Sequence, residues 1–417
     1  MPITPTAGDR PATCVIAGGG PAGAMLALLL ARAGVPVTLL EKHADFLRDF
    51  RGDTIHPSTL EILDELGLGP AFDRLAPRRV ETLSIRLDDG VVRVASLRRL
   101  RSRHPYIAFV PQWDFLTMLT EAARRHPTFR LIMEAEVTGL IREGGAVRGV
   151  RYRDRDGEHE LRAALTVGAD GRHSAVRRAA GLAPVEFGAP MDVVWFRLPR
   201  EESDPDEAFL RLSAGRLMVA IDRGSYWQLA YVIPKGGFGA LRDRGVQALR
   251  ASVGELLPFL AGRTGALAGF EEVGMLRVRL NRVHRWHRPG LLLIGDAAHA
   301  MSPVFGIGIN LAVQDAVAAA NLLAGPLLAG RVPESALRAV RRRRAAPTAI
   351  TQFVQQVVQD RLIRPALDAA ARPPRLPRDL AGLPVAGALI RRFIGLGVQP
   401  EHVRSPRARQ AGTPPRC

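Results

Sequence analysis

The run Thr13 to Ala17 is apolar and partly β-branched, stops on Gly18-Gly19-Gly20-Pro21-Ala22-Gly23, and leads at once into the helical stretch Ala24 to Ala33. The extended run Val37 to Leu40 follows, so the opening reads as a βαβ unit with a G-x-G-x-x-G turn between strand and helix. Gly18, Gly20 and Gly23 permit the tight turn, the approach of a pyrophosphate, and close packing of helix on strand, with Pro21 and Ala22 opening the helix. The free amides and dipole at that helix start favour an anion. Glu41, with Lys42 beside it, ends the second strand, where a carboxylate accepts hydrogen bonds from both ribose hydroxyls and disfavours a 2′-phosphate. An AMP-containing dinucleotide is therefore expected, and these residues alone leave NAD and FAD both open.

A chain of 417 residues with 47% hydrophobic content has material for a large core and for two joined domains. Cys14 and Cys417 stand at opposite ends, which argues against a disulfide framework and fits a reducing cytoplasm. The first ten residues lack the layout of a secretory signal, and no uncharged apolar stretch is read as long enough to span a bilayer. The net charge of +17 would suit a polyanion, but the arginines are scattered through the chain and accompany abundant alanine and glycine. No nucleic-acid partner is expected, and the densest run, Arg341 to Arg344, reads as a solvated helix face.

Further along, Pro57 to Leu66 reads as a helix, and Val137 to Val167 as a β-ribbon punctuated by Gly144-Gly145 and Asp156-Gly157, leading into a buried strand at Leu165 to Ala169. Strands are expected at Met191 to Leu198, Arg216 to Ile221 and Tyr226 to Ile233, with a helix at Leu241 to Leu260. A buried strand at Leu291 to Ile294 precedes a helix from about Asn310 to Leu323 and a polar helix from Glu334 to about Ala371. The tail from Arg372 is rich in proline and arginine, and Ser405 to Cys417 reads as disordered.

Three further blocks carry a resemblance. They are Arg51-Gly52-Asp53-Thr54-Ile55-His56-Pro57, then Gly168-Ala169-Asp170-Gly171-Arg172-His173-Ser174-Ala175-Val176-Arg177, then Gly295-Asp296-Ala297-Ala298-His299 through Pro303, Gly306, Gly308, Ile309 and Asn310. In order and spacing they resemble the single-component aromatic-ring hydroxylases, flavoprotein monooxygenases similar to para-hydroxybenzoate hydroxylase. The resemblance implies that Arg51 contacts the FAD pyrophosphate, and that Gln112 lies near the phosphates and ribityl chain. It implies that Asp170 and Gly171 serve both FAD and the nicotinamide dinucleotide, and that Asp296 accepts hydroxyl hydrogen bonds while the Gly306 to Asn310 backbone approaches the isoalloxazine. His299 matches a structural position, Ile307 is bulky for that loop, and no side chain is assigned as catalytic acid or base. No zinc spacing occurs, so no metal is expected.

The implied fold is α/β: a GR2-like, Rossmann-type FAD-binding domain (residues 1–182 and 283–330), an inserted mainly β substrate domain (183–282), and a helical C-terminal region with a disordered tail (331–417). The implied activity is an FAD-dependent monooxygenase that holds FAD non-covalently, consumes NADH or NADPH, and inserts one oxygen atom from dioxygen into an aromatic or polyketide-like molecule through a flavin hydroperoxide. Tyr226 and Gln228 are candidate substrate contacts. A cytoplasmic monomer or homodimer is expected. Alternatives are a same-fold epoxidase, Baeyer–Villiger, decarboxylating or dehydrogenating enzyme, or a non-catalytic flavin-binding sensor.

Overall fold

A computed structural model describes residues 12–47, 54–213, 215–368 and 377–408. Its first layer is an eight-stranded sheet built around Ala12–Ala17. That strand lies between two parallel neighbours, Val37–Leu40 and the long Gly157–Gly168, with Phe129–Ile132 and Leu291–Leu293 extending the parallel set on either side. The strands read as continuous apolar runs because both faces are covered, the usual condition of a parallel sheet. Helix Pro21–Arg32 covers one face, packed against Gly308–Leu328 and Gln112–Arg124. Ten of its residues, Ala22 to Ala31, are buried, which explains why the sequence there is apolar all round rather than amphipathic.

The expected β-ribbon is present as Glu136–Glu143, Ala146–Asp154 and the first half of Gly157–Gly168. The second layer is a seven-stranded sheet in the order Gly274–Leu276, Met191–Pro199, Tyr226–Pro234, Arg216–Asp222, Phe209–Ser213, Thr82–Leu87, Gly90–Ser96. Its last two strands come from far upstream, so the sheet is assembled from two stretches of chain and extends beyond the segment 183–282. The outer face, with Phe196, Trp227 and Leu229, is closed by Gly245–Leu256 and the turns after it. The single helix expected over 241–260 is divided there, because Gly245 takes φ 80° and Pro258 opens a 3-10 stretch.

Two elements correct the sequence reading more strongly. The segment Val304–Leu328 is long and apolar enough, by length and composition, to cross a bilayer, although no such stretch was expected; 72% of its apolar window is buried inside the protein. The tail read only as proline- and arginine-rich contains a helix, Pro384–Leu396, which packs on Pro57–Glu65 and on Gly90–Ser96. The polar helix runs from Glu334 to Val358 and continues through a π turn to Ala366.

Candidate active site

The glycine turn is shaped from both sides. Gly18 sits at φ 100°, and a side chain there would run into the Ala169 carbonyl, so the first strand's turn lies directly against the Asp170-Gly171 turn. Gly23 is also excluded from having a side chain, by the Gly18 carbonyl, and its role is to let the helix pack on the turn. Gly20 differs from both. It has ordinary extended dihedrals, and a Cβ placed on it meets no atom within 4 Å. It opens onto a cavity beside the amides of the first helical turn, which have no intrahelical acceptor.

Glu41 is buried, and its carboxylate accepts from the Gly19 amide at 2.9 Å and the His43 amide at 3.0 Å. It thus fixes the glycine turn to the end of the second strand, on the wall of the cavity it lines. Lys42 is exposed on the same rim, and Gln112 begins a helix with its side chain buried at the cavity wall. Arg51 lies outside the described residues.

Asp170 and Asp296 carry similar sequence signals and stand in different environments. Asp170 accepts from Ser174 Oγ at 2.5 Å and from the Val176 amide at 3.0 Å, so both carboxylate oxygens serve the helix start that follows. Burial pushes its pKa up despite those hydrogen bonds. Asp296, on the turn Gly295–Ala297, faces the cavity with 32% of its side chain exposed and has Arg172 Nη2 at 3.5 Å. Of the two, Asp296 is the carboxylate free to meet a ligand.

The second fingerprint loop is held by its neighbours. Thr54 Oγ1 donates to the Gly306 carbonyl at 2.7 Å, and Phe305, with φ 66° and ψ 0°, adopts a left-handed conformation uncommon for a bulky residue. Pro303, Gly306, Gly308 and Ile309 line the cavity; Ile307 is buried away from it, which resolves how a bulky residue fits this loop. Asn310 also turns away. Its Oδ1 accepts from the His56 amide at 2.8 Å and Thr59 Oγ1 at 2.7 Å, tying the loop to residues 54–59 rather than presenting an amide to a ligand.

His299 is buried with Nε2 2.6 Å from Asp315 Oδ2, the structural position expected for it. Asp315 also accepts from the Gly295 amide at 3.1 Å and from Arg344 Nε at 3.0 Å. Arg344 therefore points inward with no exposed surface, which corrects the solvated reading of its arginine run at that position. The physical reason is a pair of buried carboxylates, Asp315 and Glu401, that need a cation. Arg177, the last residue of the second block and given no role of its own by the sequence, donates its guanidinium to the carbonyls of Ala297 at 2.9 Å and Arg172 at 2.8 Å, stapling the two aspartate turns together.

The cavity encloses about 1590 Å³ and runs from the glycine turn to the inner face of the seven-stranded sheet. A pocket for one small ligand is typically ~300–1,000 Å³, so this one has room for a dinucleotide and a second molecule. Tyr226 and Gln228 share a strand face with the lining residues Ala230 and Val232 but sit past the cavity's end. Gln228 Oε1 accepts from Arg223 Nε at 2.9 Å, and the Tyr226 ring carries the Arg197 guanidinium at 5.0 Å. The alternation was legible; how far along the strand the cavity reached was not. The helix Pro384–Leu396 closes another wall with Leu389, Ile390 and Phe393. Its apolar residues at spacings of three and four were the signal that could have revealed it.

The residues present fit FAD: a cradle at Gly20 that a side chain would fill, free helix amides, a buried ribose-side carboxylate and a partly exposed Asp296 converge on one elongated cavity. A family model described as "FAD binding domain" matches residues 11–354. The chain is 33% identical over 406 residues to 6-methylpretetramide 4-monooxygenase of Streptomyces rimosus, covering 97% of this chain and 96% of that protein. It is 26% identical over 326 residues to 3-demethoxyubiquinol 3-hydroxylase of Escherichia coli, covering 76% and 80%. Among solved structures, OxyS anhydrotetracycline hydroxylase from Streptomyces rimosus aligns with TM-score 0.71 and 26% identity over 93% of this chain and 76% of that one. PqsL of P. aeruginosa, in complex with 2-aminobenzoylacetate, aligns with TM-score 0.75 over 86% and 98%, at 22% identity a likeness of fold.

Proposed function

This chain belongs to the FAD-binding domain family, and we propose that it is an FAD-dependent monooxygenase that hydroxylates a flat, electron-rich aromatic or polyketide-derived substrate. The observation that carries this reading is the single cavity shared by the cofactor cradle and an apolar sheet face. It is supported by a relative of matching length whose name is a polyketide monooxygenase.

Bound FAD would supply the redox and dioxygen chemistry; the chain's residues supply position and surroundings. The helix amides beside Gly20 hold the pyrophosphate, Glu41 the adenosine ribose, and Asp296 the hydroxyls farther along. The balance is substrate C–H, dioxygen, NAD(P)H and a proton going to substrate C–OH, NAD(P)⁺ and water. The sheet wall is aliphatic at Val193, Leu210, Val219, Ala230 and Val232, which keeps water from the reacting centre. Among the described residues, the carboxylates lining the cavity, Glu41, Glu136, Asp170 and Asp296, lie on the cofactor side.

The need for reduced nicotinamide fits a cytoplasmic enzyme. Turnover under ¹⁸O-labelled dioxygen with mass spectrometry of the product tests the reading. One labelled oxygen in the product is expected. Product formed without label and equally well without dioxygen would sink the monooxygenase assignment and leave the flavoprotein assignment standing.

A further inference from the structure

The helix Glu334–Val358 is amphipathic with its polar side inward. Arg344, Thr348, Thr351, Gln352 and Gln355 are buried. Gln352 Nε2 donates to the carbonyls of Asn281 at 2.9 Å and Ala300 at 3.1 Å, and Gln355 Nε2 to those of Ser302 at 2.9 Å and Val304 at 3.0 Å, so this inward polarity is accounted for. Outward, at spacings of four, three and four, stand Ala346, Ile350, Phe353 and Val357, an apolar stripe where a solvated helix would carry charge. A second stripe, Leu383, Val385 and Leu389, lies on Pro384–Leu396 and the residue before it. Of the eleven large apolar side chains exposed among the described residues, six belong to these two stripes, a clustering that marks a contact surface. The two helices flank consecutive residues of one loop: Gln355 bonds the Val304 carbonyl, and the Phe393 ring meets Phe305 edge-on with centroids 6.1 Å apart. Val357 and Leu389, one from each stripe, also line the cavity, so its apolar wall is continuous with this face.

We propose that this face docks on an anionic lipid surface, the two apolar stripes entering the headgroup boundary and the arginines beside them meeting lipid phosphates. Charge selects the occupant. The exposed charges from 342 to 364 and from 378 to 392 are five arginines and two aspartates, with Arg342 and Arg361 bounding the first stripe and Arg392 following the second. A two-fold contact between copies of this chain would set that arginine-rich rim against itself, whereas anionic headgroups complement it. Arginine can also lay its aliphatic stem along apolar surface while its guanidinium reaches the phosphates. The arrangement is that of a helix lying in the interface rather than crossing it. Docking would set the apolar end of the cavity beside the bilayer, and it is independent of which substrate the cavity takes.

Co-sedimentation of the FAD-loaded protein with vesicles of phosphatidylcholine and phosphatidylglycerol in equal parts, and of phosphatidylcholine alone, tests this. The native protein should bind the anionic vesicles more tightly, and less so as salt is raised. Phe353 and Val385 are 64% and 72% exposed and do not line the cavity, so Phe353→Asp and Val385→Asp should keep the native melting temperature and FAD content. Phe353→Asp should weaken vesicle binding by about tenfold, the worth of burying one large apolar side chain, and Val385→Asp should weaken it as well. Arg124→Gln makes the same change in net charge at the opposite edge of the eight-stranded sheet, since Gln112–Arg124 packs on Phe129–Ile132 and Glu334–Val358 on His287–Arg288. It should bind vesicles as the native protein does. Absence of binding to the anionic vesicles, or a loss in Arg124→Gln equal to that in Phe353→Asp, overturns the proposal. Lipid-free dimerisation that Phe353→Asp abolishes, seen by sedimentation velocity, would also overturn it and assign the face to a second copy of this chain.

Discussion

Gly20→Val separates the cofactor cradle from the fold. Gly20 has φ −69° and ψ −178°, open to any residue, and no neighbour within 4 Å of a new Cβ, so the cofactor-free protein should keep its thermal stability. The valine methyls would fill the space the pyrophosphate needs. Overpacking of about 1–3 kcal/mol translates to FAD binding weakened roughly tenfold or more, measured by titration of the apoprotein. The same change at Gly18 or Gly23 would instead damage folding, because backbone oxygens already occupy the position. Asp296→Ala should also weaken FAD. Asp170→Ala should first destabilise the helix start after Ser174, since both oxygens of Asp170 are engaged there. A loss of FAD affinity at unchanged melting temperature in Asp170→Ala would contradict that division of roles.

Between elements, His56 is the joint that fastens the C-terminal helix to the cofactor layer. Its Nδ1 lies 2.6 Å from the Ile394 carbonyl and must carry the proton that bonds it, while burial lowers the ring's pKa from 6.5 to about 4. The folded protein keeps this imidazole neutral, whereas the unfolded chain takes up a proton below pH 6.5. The stability it contributes is complete above pH 6.5 and is lost as pH falls toward 4. Denaturation across that window should show a loss of about 3 kcal/mol that His56→Gln lacks. Arg344→Met should cost about 3 kcal/mol, because it removes the buried cation beside Asp315, which is left with His299 and the Gly295 amide, whereas Glu401 keeps Arg343 at 2.7 Å. That loss should appear in the melting temperature. What was legible in the sequence follows the same division. The glycine turn and the Asp170 and Asp296 turns are local backbone solutions, so their residues announce them. The pairing of Ile85 with Leu210 is set by tertiary contact between distant segments, and nothing within Thr82–Ser96 states it. The inward turn of Arg344 depends on Glu401 in the tail, and the helix at Pro384–Leu396 was masked by surrounding proline and arginine. The spacing that placed the Asn310 backbone in the flavin loop says nothing of its side chain, which bonds the His56 amide and Thr59.

At the scale of the whole molecule, the eight-stranded and seven-stranded sheets share one cavity, and this bears on how the nicotinamide dinucleotide is used. Among the described residues one glycine turn joins a strand of the parallel sheet to a helix in the G-x-G-x-x-G manner, and its cradle is assigned to FAD. NADH or NADPH should therefore visit the shared cavity and leave. Reduction of bound FAD, followed by stopped flow, should saturate with the nicotinamide cofactor and accelerate when an aromatic substrate occupies the apolar end. The net charge of +17 should draw the anionic dinucleotide in, so its apparent affinity should fall as ionic strength rises from 0.01 to 0.15 M, where screening shortens from about 30 to about 8 Å. The FAD content of the protein should change little over that range, because FAD is held by buried amides and carboxylates screened much less by salt. NAD copurifying tightly in place of FAD would reverse the assignment of the glycine turn. Reduction that is insensitive to salt would instead mean that local contacts, rather than the field of the whole protein, govern the encounter.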